Sequence, residues 1–251
     1  MSGPSAGKAQ HEGPSSGAIS YKRELIRPLL APADPADAMT AYYALWHDAR
    51  RVRLTLHRGP AGTTDGFVAV CQTGRDLFVP LVVLRALPDD VGGLLQSALI
   101  AGRPYTLVTS PDLQDAVEAA LVLSSRQRNA VCELEPEGYR PVINVMVQSG
   151  KGAFRREIRV QEQVVAAAGV NWQTDRFADM YVYTDPDVRG RGWGKAVGAA
   201  CVQDILVERL LPLYTVADDN VPSLRLAESL GFRDRGVREF ECQGYLSAGD
   251  E

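Results

Sequence analysis

The sequence predicts an α/β protein: a mixed sheet with helices on it, built as two similar halves side by side. Three observations carry this. Short β-branched or aromatic runs alternate with segments of helical apolar spacing through most of the chain. The order strand, strand, strand, helix, strand, helix, strand in residues 52–135 recurs in residues 155–242. Residues 103–110 and 211–218 also look alike within that repeat.

The elements follow in order. Residues 1–18 are rich in Gly, Ser and Pro and almost free of apolar side chains, so a disordered tail is expected. Residues 37–46 have amphipathic helical spacing, 52–57 alternate as a strand, and 67–71 form the returning strand after a glycine-rich turn. Residues 76–84 read as a longer strand made irregular by Pro80. A helix is expected at 91–100 and a strand at 104–109. A second helix at 111–124 follows, with Ser110 as its N-cap and Pro111 in its first turn, and a strand at 129–135 closes the half. The boundary falls near Glu137 and Gly138, giving expected domains 19–137 and 138–251. In the second half, 141–147 is the one candidate for an opening strand, and 155–161 with 164–172 form a hairpin. Strands at 180–184, 213–217 and 238–242 then alternate with helices at 194–209 and 222–230.

Composition narrows the function. The chain has 251 residues, 45% of them hydrophobic, and a net charge of −4, which argues against nonspecific nucleic-acid binding. No apolar run is long enough to predict a membrane span, and the first residues lack the apolar core of a signal peptide, so a cytoplasmic protein is expected. Cys71, Cys132, Cys201 and Cys242 are scattered, as buried free thiols would be, and His11, His47 and His57 do not cluster with other ligand types, so no metal site is expected.

The chemistry concentrates in residues 180–209. An apolar strand is broken by Asp185, Pro186 and Asp187, and Arg189, Gly190, Arg191, Gly192, Trp193 and Gly194 then lead through Lys195 into a helix. Strand, glycine turn and helix start make an anion cradle, because unpaired N–H groups of the first helical turn face a ligand that glycine lets approach. A nucleotide P-loop is excluded, since Ala196 follows Lys195 where Ser or Thr is required and Arg189 stands where the first Gly should be. The dinucleotide fingerprint fails as well, because Lys195 and Val197 occupy the positions of its last Gly.

The pattern that fits is Arg/Gln-x-x-Gly-x-Gly/Ala, filled by Arg189, Gly192 and Gly194. It resembles the acyl-CoA pyrophosphate loop of the GNAT superfamily of N-acetyltransferases. A second signature follows at the family's distance, running from Asn220 through Ser223 and Leu226 to Leu230, Gly231 and Phe232. Two GNAT-like halves, the first degenerate, resemble the glycine N-acyltransferase-like branch. In the first half Asp89 and Asp90 stand where the cradle would be and would repel pyrophosphate.

The resemblance implies a tandem GNAT fold and an N-acetyltransferase using acetyl-CoA as co-substrate, without a metal, on a primary amine of a small molecule, as a monomer or homodimer. It implies that Val182, Tyr183 and Thr184 offer backbone groups to the pantetheine arm, that Arg189 to Lys195 hold the pyrophosphate, and that Asn220 and Ser223 lie beside the arm or cap their helix. Asp179 is the candidate base, or else pairs with Arg176 at an exposed strand start; Glu157 and Glu162 are alternatives. The family's tyrosine after Leu226 is replaced by Ala227, which leaves Tyr214 and Ser223 as the nearest hydroxyls, Tyr214 reading as core and Ser223 as a helix cap. Two other readings stay open: a CoA-sensing or partner-binding module without catalysis, and transfer of a longer acyl group.

Overall fold

The computed structural model describes residues 16–74 and 76–248. Most of the expected tail lies outside them, and its last residues open the first helix, α1 (Ser16–Ile26), which seats Ile19 and Ile26 in the core. Helix α2 (Pro35–Ala41) starts where the Asp34 side chain accepts from the N–H of Ala36, and runs on into a π-helical turn, Tyr42–Trp46.

The strands of the first half are β1 (Val52–Arg58), β2 (Thr64–Cys71), β3 (Leu81–Arg85), β4 (Pro104–Thr109) and β5 (Val122–Leu134); helix α3 (Val91–Ala98) joins β3 to β4, and α4 (Gln114–Ala120) joins β4 to β5. The second half supplies β6 (Gln148–Ser149), β7 (Arg156–Val160), β8 (Gln163–Gln173), β9 (Phe177–Thr184), β10 (Leu211–Ala217) and β11 (Phe232–Tyr245), with α5 (Trp193–Val207) between β9 and β10 and α6 (Val221–Leu230) between β10 and β11.

Several boundaries differ from the sequence reading. Strand β3 starts only after Pro80, because the Asp76 carboxylate accepts from the N–H groups of Phe78 and Val79 and closes a turn there. Ser110 does not cap a helix with its side chain. A short 3-10 turn, Pro111–Leu113, precedes α4, and β5 begins at Val122, where a helix was expected to continue. Residues 141–147 contain no strand, and the short β6 follows them.

All the strands form one 11-stranded sheet in the order β1-β2-β3-β4-β11-β5-β10-β9-β8-β7-β6. The last strand of each half is built into the other half. Strand β11 lies antiparallel to β4, with Phe240 opposite Thr109, while β5 lies antiparallel to β10, with Val131 opposite Thr215. The two exchanged strands also pair with each other from Phe232–Leu134 to Tyr245–Val122. The boundary expected near residue 137 therefore does not divide the sheet.

Alternation along the strands separates two faces. On one, α5 and α6 cover Ala130, Cys132, Met180, Tyr214 and Phe232; on the other, α1 and α2 cover Phe67, Val131, Trp172, Phe177 and Leu213. Helices α3 and α4 enclose a third cluster around Leu107, Tyr105 and Phe240. Arg156 holds α5 to the sheet through a two-pronged pair with Asp204, at 2.6 and 2.7 Å. Residues 138–251 made alone strip β10 and β11 of β5, so this fragment is expected to be insoluble, and co-expression with residues 1–137 to restore a soluble complex. Size-exclusion chromatography and circular dichroism check this.

Candidate functional site

Strand β10 runs parallel to β9 for three residues, from Leu211 opposite Phe177 to Leu213 opposite Asp179. Beyond that point β10 continues on β5 and β9 continues on β8, so the two strands part. Two clefts open at the parting. One, of about 430 Å³, lies toward α5 and α6; the other, of about 440 Å³, lies toward α2. They share Val182, Tyr214, Asn220 and Ser223, so they meet through the gap in the sheet.

The first cleft contains the glycine turn. Asp185 accepts from the N–H of Asp187 and ends β9 in a tight 3-10 turn, Pro186–Val188. Gly192 is the N-cap of α5 and sits at φ +75°, a left-handed conformation that costs a glycine little. A Cβ on Gly194 would stand 2.6 Å from Thr184 Oγ1, so glycine lets the helix start lie directly against the motif strand. No side chain caps the N-terminus of α5. Its free N–H groups and the positive end of the helix face the same opening as Arg189 and Lys195.

Most of the residues singled out by the sequence line this cleft: Val182, Thr184, Arg189, Gly190, Gly192, Trp193, Gly194, Lys195, Asn220 and Ser223. Two do not. The Tyr183 side chain is exposed, and Arg191 lies over the Trp193 ring, 5.3 Å from its centre. Asn220 caps α6 by accepting from the N–H of Ser223, which frees Ser223 from the capping role expected of it. The Ser223 hydroxyl instead lies 2.9 Å from the Tyr214 hydroxyl. Tyr214 is buried as expected, yet it borders both clefts, and burial pushes its phenol above the ordinary value, so it stays protonated at neutral pH.

The second cleft is acidic. Asp179 is not at an exposed strand start; it is 4% exposed within β9, with Asn171 donating to one oxygen at 2.8 Å and Thr215 to the other at 2.8 Å. Asn129, Gln127, Glu239 and Glu241 complete this wall, and Trp172 and Met39 border it. No Lys, Arg or His lines the cleft among the described residues. Glu157 and Glu162 are not brought here. The Glu157 carboxylate is held below its usual range by Arg159 and Arg155, and both glutamates line a separate hollow by β6.

Glu239 and Glu241 had no motif to mark them. They come from β11, the strand lent to the first half, and only the sheet order brings them to Asp179 on β9. Burial, then the nearby Asp179 and Glu241, pushes the Glu239 carboxyl up to about 8.

Residues 148–238 match the family model of the GNAT acetyltransferases. A GCN5-related N-acetyltransferase from Sphaerobacter thermophilus superposes with a TM-score of 0.61 at 10% identity, over 95% of this chain and 96% of that one. One from Kribbella flavida gives 0.60 at 18% identity, over 83% and 95%. The fold is the GNAT fold. It is present in tandem form: a tandem GNAT protein from the clavulanic acid biosynthesis pathway superposes at 0.57, with 11% identity over 94% of this chain and 97% of that one. No curated protein matches the sequence. Within this GNAT fold the glycine turn lies in the second half. The corresponding turn of the first half, Pro88–Asp90, carries Asp89 and Asp90 into α3, and Asp90 lies 3.7 Å from His57. Among the described residues no helix is long and apolar enough to cross a membrane, and no cluster of three ligand side chains is placed to hold a metal.

The Glu239 carboxyl has a stability consequence. Its folded value of about 8 stands above the ordinary 4.5, so between those values the folded protein keeps a proton that the unfolded chain releases. Stability is therefore lost as pH rises through that window. Glu239→Gln is expected to raise the melting temperature, by a margin that grows from about pH 5 to about pH 8 and then levels. Thermal melts of both proteins across that range measure it.

Proposed function

We propose that the protein is an acetyl-CoA-dependent N-acetyltransferase acting on the primary amine of a small molecule by direct attack. The observation that carries this reading is the pair of clefts meeting where β9 and β10 part, one basic and glycine-lined, the other acidic. The residues of the first cleft suit acetyl-CoA: a diphosphate needs the free N–H groups of α5 and the charges of Arg189 and Lys195. Arg191 and Trp193 would close over it from outside. Backbone groups of Val182, Tyr183 and Thr184 are free of β10 and can pair with the amides of the pantetheine arm, as an added strand would. Asn220 and Ser223 border the same path. In this reading residues 138–251 hold the cofactor and residues 19–137 wall the acceptor cleft, through Met39, Gln127 and Asn129.

Bound there, acetyl-CoA supplies an activated acetyl thioester. The chain supplies the rest. A backbone N–H of β9 beside the gap polarises the carbonyl. Asp179, buried with both oxygens already hydrogen-bonded, faces the incoming ammonium and is the base candidate that the sequence offered. Tyr214, protonated and at the junction, can hand its proton to the departing sulfur and recover one through Ser223. It would do the work of the tyrosine that Ala227 replaces. The acidic second cleft favours this enzyme over a CoA sensor, which would have no use for it. Acyl groups longer than acetyl would have to share the gap with Tyr214 and Val182.

Gly192→Glu places a carboxylate at the cradle on a left-handed residue, so acetyl-CoA binding is expected to disappear in calorimetry while the far-ultraviolet spectrum stays native; unchanged affinity would refute the cradle. Tyr214→Phe is expected to lower the rate of thiol release by up to about 10²-fold with acetyl-CoA affinity retained.

A further inference from the structure

The acidic cleft holds a feature that the mechanism above leaves unused. Glu239 is buried, and its Oε2 has no hydrogen-bond partner. Directly across the strand pair stands Asn129, whose Oδ1 is also buried and without a partner. The Asn129 amide is oriented by its own contact: Nδ2 donates to Glu241 Oε2 at 2.9 Å, which leaves Oδ1 as the free end. When Glu239 is ionised, two adjacent buried acceptors thus lack a donor on the wall of a cavity that both line. Orphaned buried acceptors are costly and native proteins rarely keep them without use. The donor that satisfies both, and that the surrounding carboxylates attract, is an ammonium group.

We propose that Glu239 is the proton acceptor of the reaction, that Glu239 and Asn129 together seat the acceptor's ammonium, and that the cleft selects small amines carrying further positive charge. This rests on the acetyltransferase reading. In the step, one proton of the ammonium passes to the Glu239 carboxylate. The freed nitrogen lone pair bonds to the acetyl carbon, the carbon–sulfur bond breaks, and the second nitrogen proton ends on the thiolate. Glu239 then returns its proton to solvent. Asp179, whose two oxygens are engaged by Asn171 and Thr215, stands beside it as a second acidic group.

The charged and titratable groups around Glu239 all fit this role. Asp179 on β9 and Glu241 on its own strand repel its ionised form. Tyr214 of β10 is neutral, and the neighbouring residue of β4, Thr109, is uncharged. Asp37, the charged residue of α2, is taken up by Arg85 of β3. Arg128 of β5 is turned to Gln114. Among the described residues no cation lines the cleft or lowers the Glu239 carboxyl, which leaves that role to the substrate. The same charge balance predicts selectivity: a dication gains from Glu241, one residue pair along the strand, and an acceptor carrying its own carboxylate is repelled.

The test uses the full chain with acetyl-CoA and three probes of equal reach: diaminobutane, butylamine and aminobutanoate. Thiol release by the wild type is expected with kcat/KM falling in that order. In Glu239→Gln it should drop by about 10²-fold or more, with the pH dependence of kcat/KM below about pH 8 abolished. Acetyl-CoA affinity by calorimetry should be unchanged. In Asp179→Asn the pH limb should move lower, because the charge that raises Glu239 is gone. A readout independent of turnover is carbon NMR of glutamate-labelled protein, where one carboxyl should titrate near pH 8 and be missing from Glu239→Gln. Bound acetyl-CoA with no thiol release from any probe would overturn the acetyltransferase reading. Thiol release with the same rate and pH profile in Glu239→Gln would overturn the Glu239 assignment alone, and equal rates for the three probes would overturn the charge selection.

Discussion

Leu211, Pro212 and Leu213 hold β10 against β9 for three residues, and Tyr214 carries it away. Everything chemical in the molecule follows from that parting. A parallel pair that stayed zipped would leave no passage through the sheet, and the two clefts would be unrelated hollows on opposite faces. A pair that parts leaves polar backbone without a strand partner, which a folded protein tolerates only when something else uses it. Here the motif strand keeps its order through β8 on its other side, while β5 holds β10. The gap is therefore rigidly framed.

The frame depends on the exchange of β5 and β11. By lending its last strand to the other, each half gains a neighbour for its diverging strand and gives up independence. The exchange also moves chemistry. Glu239 and Glu241 reach the acidic cleft on β11, and Asn129 and Gln127 reach it on β5. Its walls therefore come from both halves, while the basic cleft is built from β9, the glycine turn, α5, β10 and α6. The first half carries Asp89 and Asp90 at the corresponding turn, and its strand β5 and helix α2 line the acidic cleft.

Electrostatics follows the same division. One side of the gap gathers Arg189, Lys195 and an uncapped helix start; the other gathers Asp179, Glu239 and Glu241. In the proposed reaction an anion and a cation would be drawn to opposite faces and meet where the sheet is open. Tyr214, neutral and buried, stands between them with Ser223 behind it. Burial, then the nearby Asp179 and Glu241, raises the Glu239 carboxyl, and stability is lost as pH rises toward that value.

The local pieces were readable from contiguous residues. Strand β9, the glycine turn and α5 were legible because their signal is contiguous: β-branched and aromatic residues, a proline break, then glycines where the backbone must turn left-handed and lie close. The repeat of element order was legible for the same reason, and with it the α/β class. What the tertiary structure decided was everything set by pairing between distant segments. Residues 76–80 left their strand for a turn closed by Asp76, and β5 claimed residues 122–128 from the helix expected there because β11 pairs with them along their length. Ser223 gave its capping role to Asn220 and turned to Tyr214. Asp179 looked the same in sequence whether exposed or buried, and only its register beside Leu213 fixed it in the cleft. Glu239 had no local mark at all. A carboxylate's environment is made by residues remote in the chain, and no spacing rule reaches from β11 to β9.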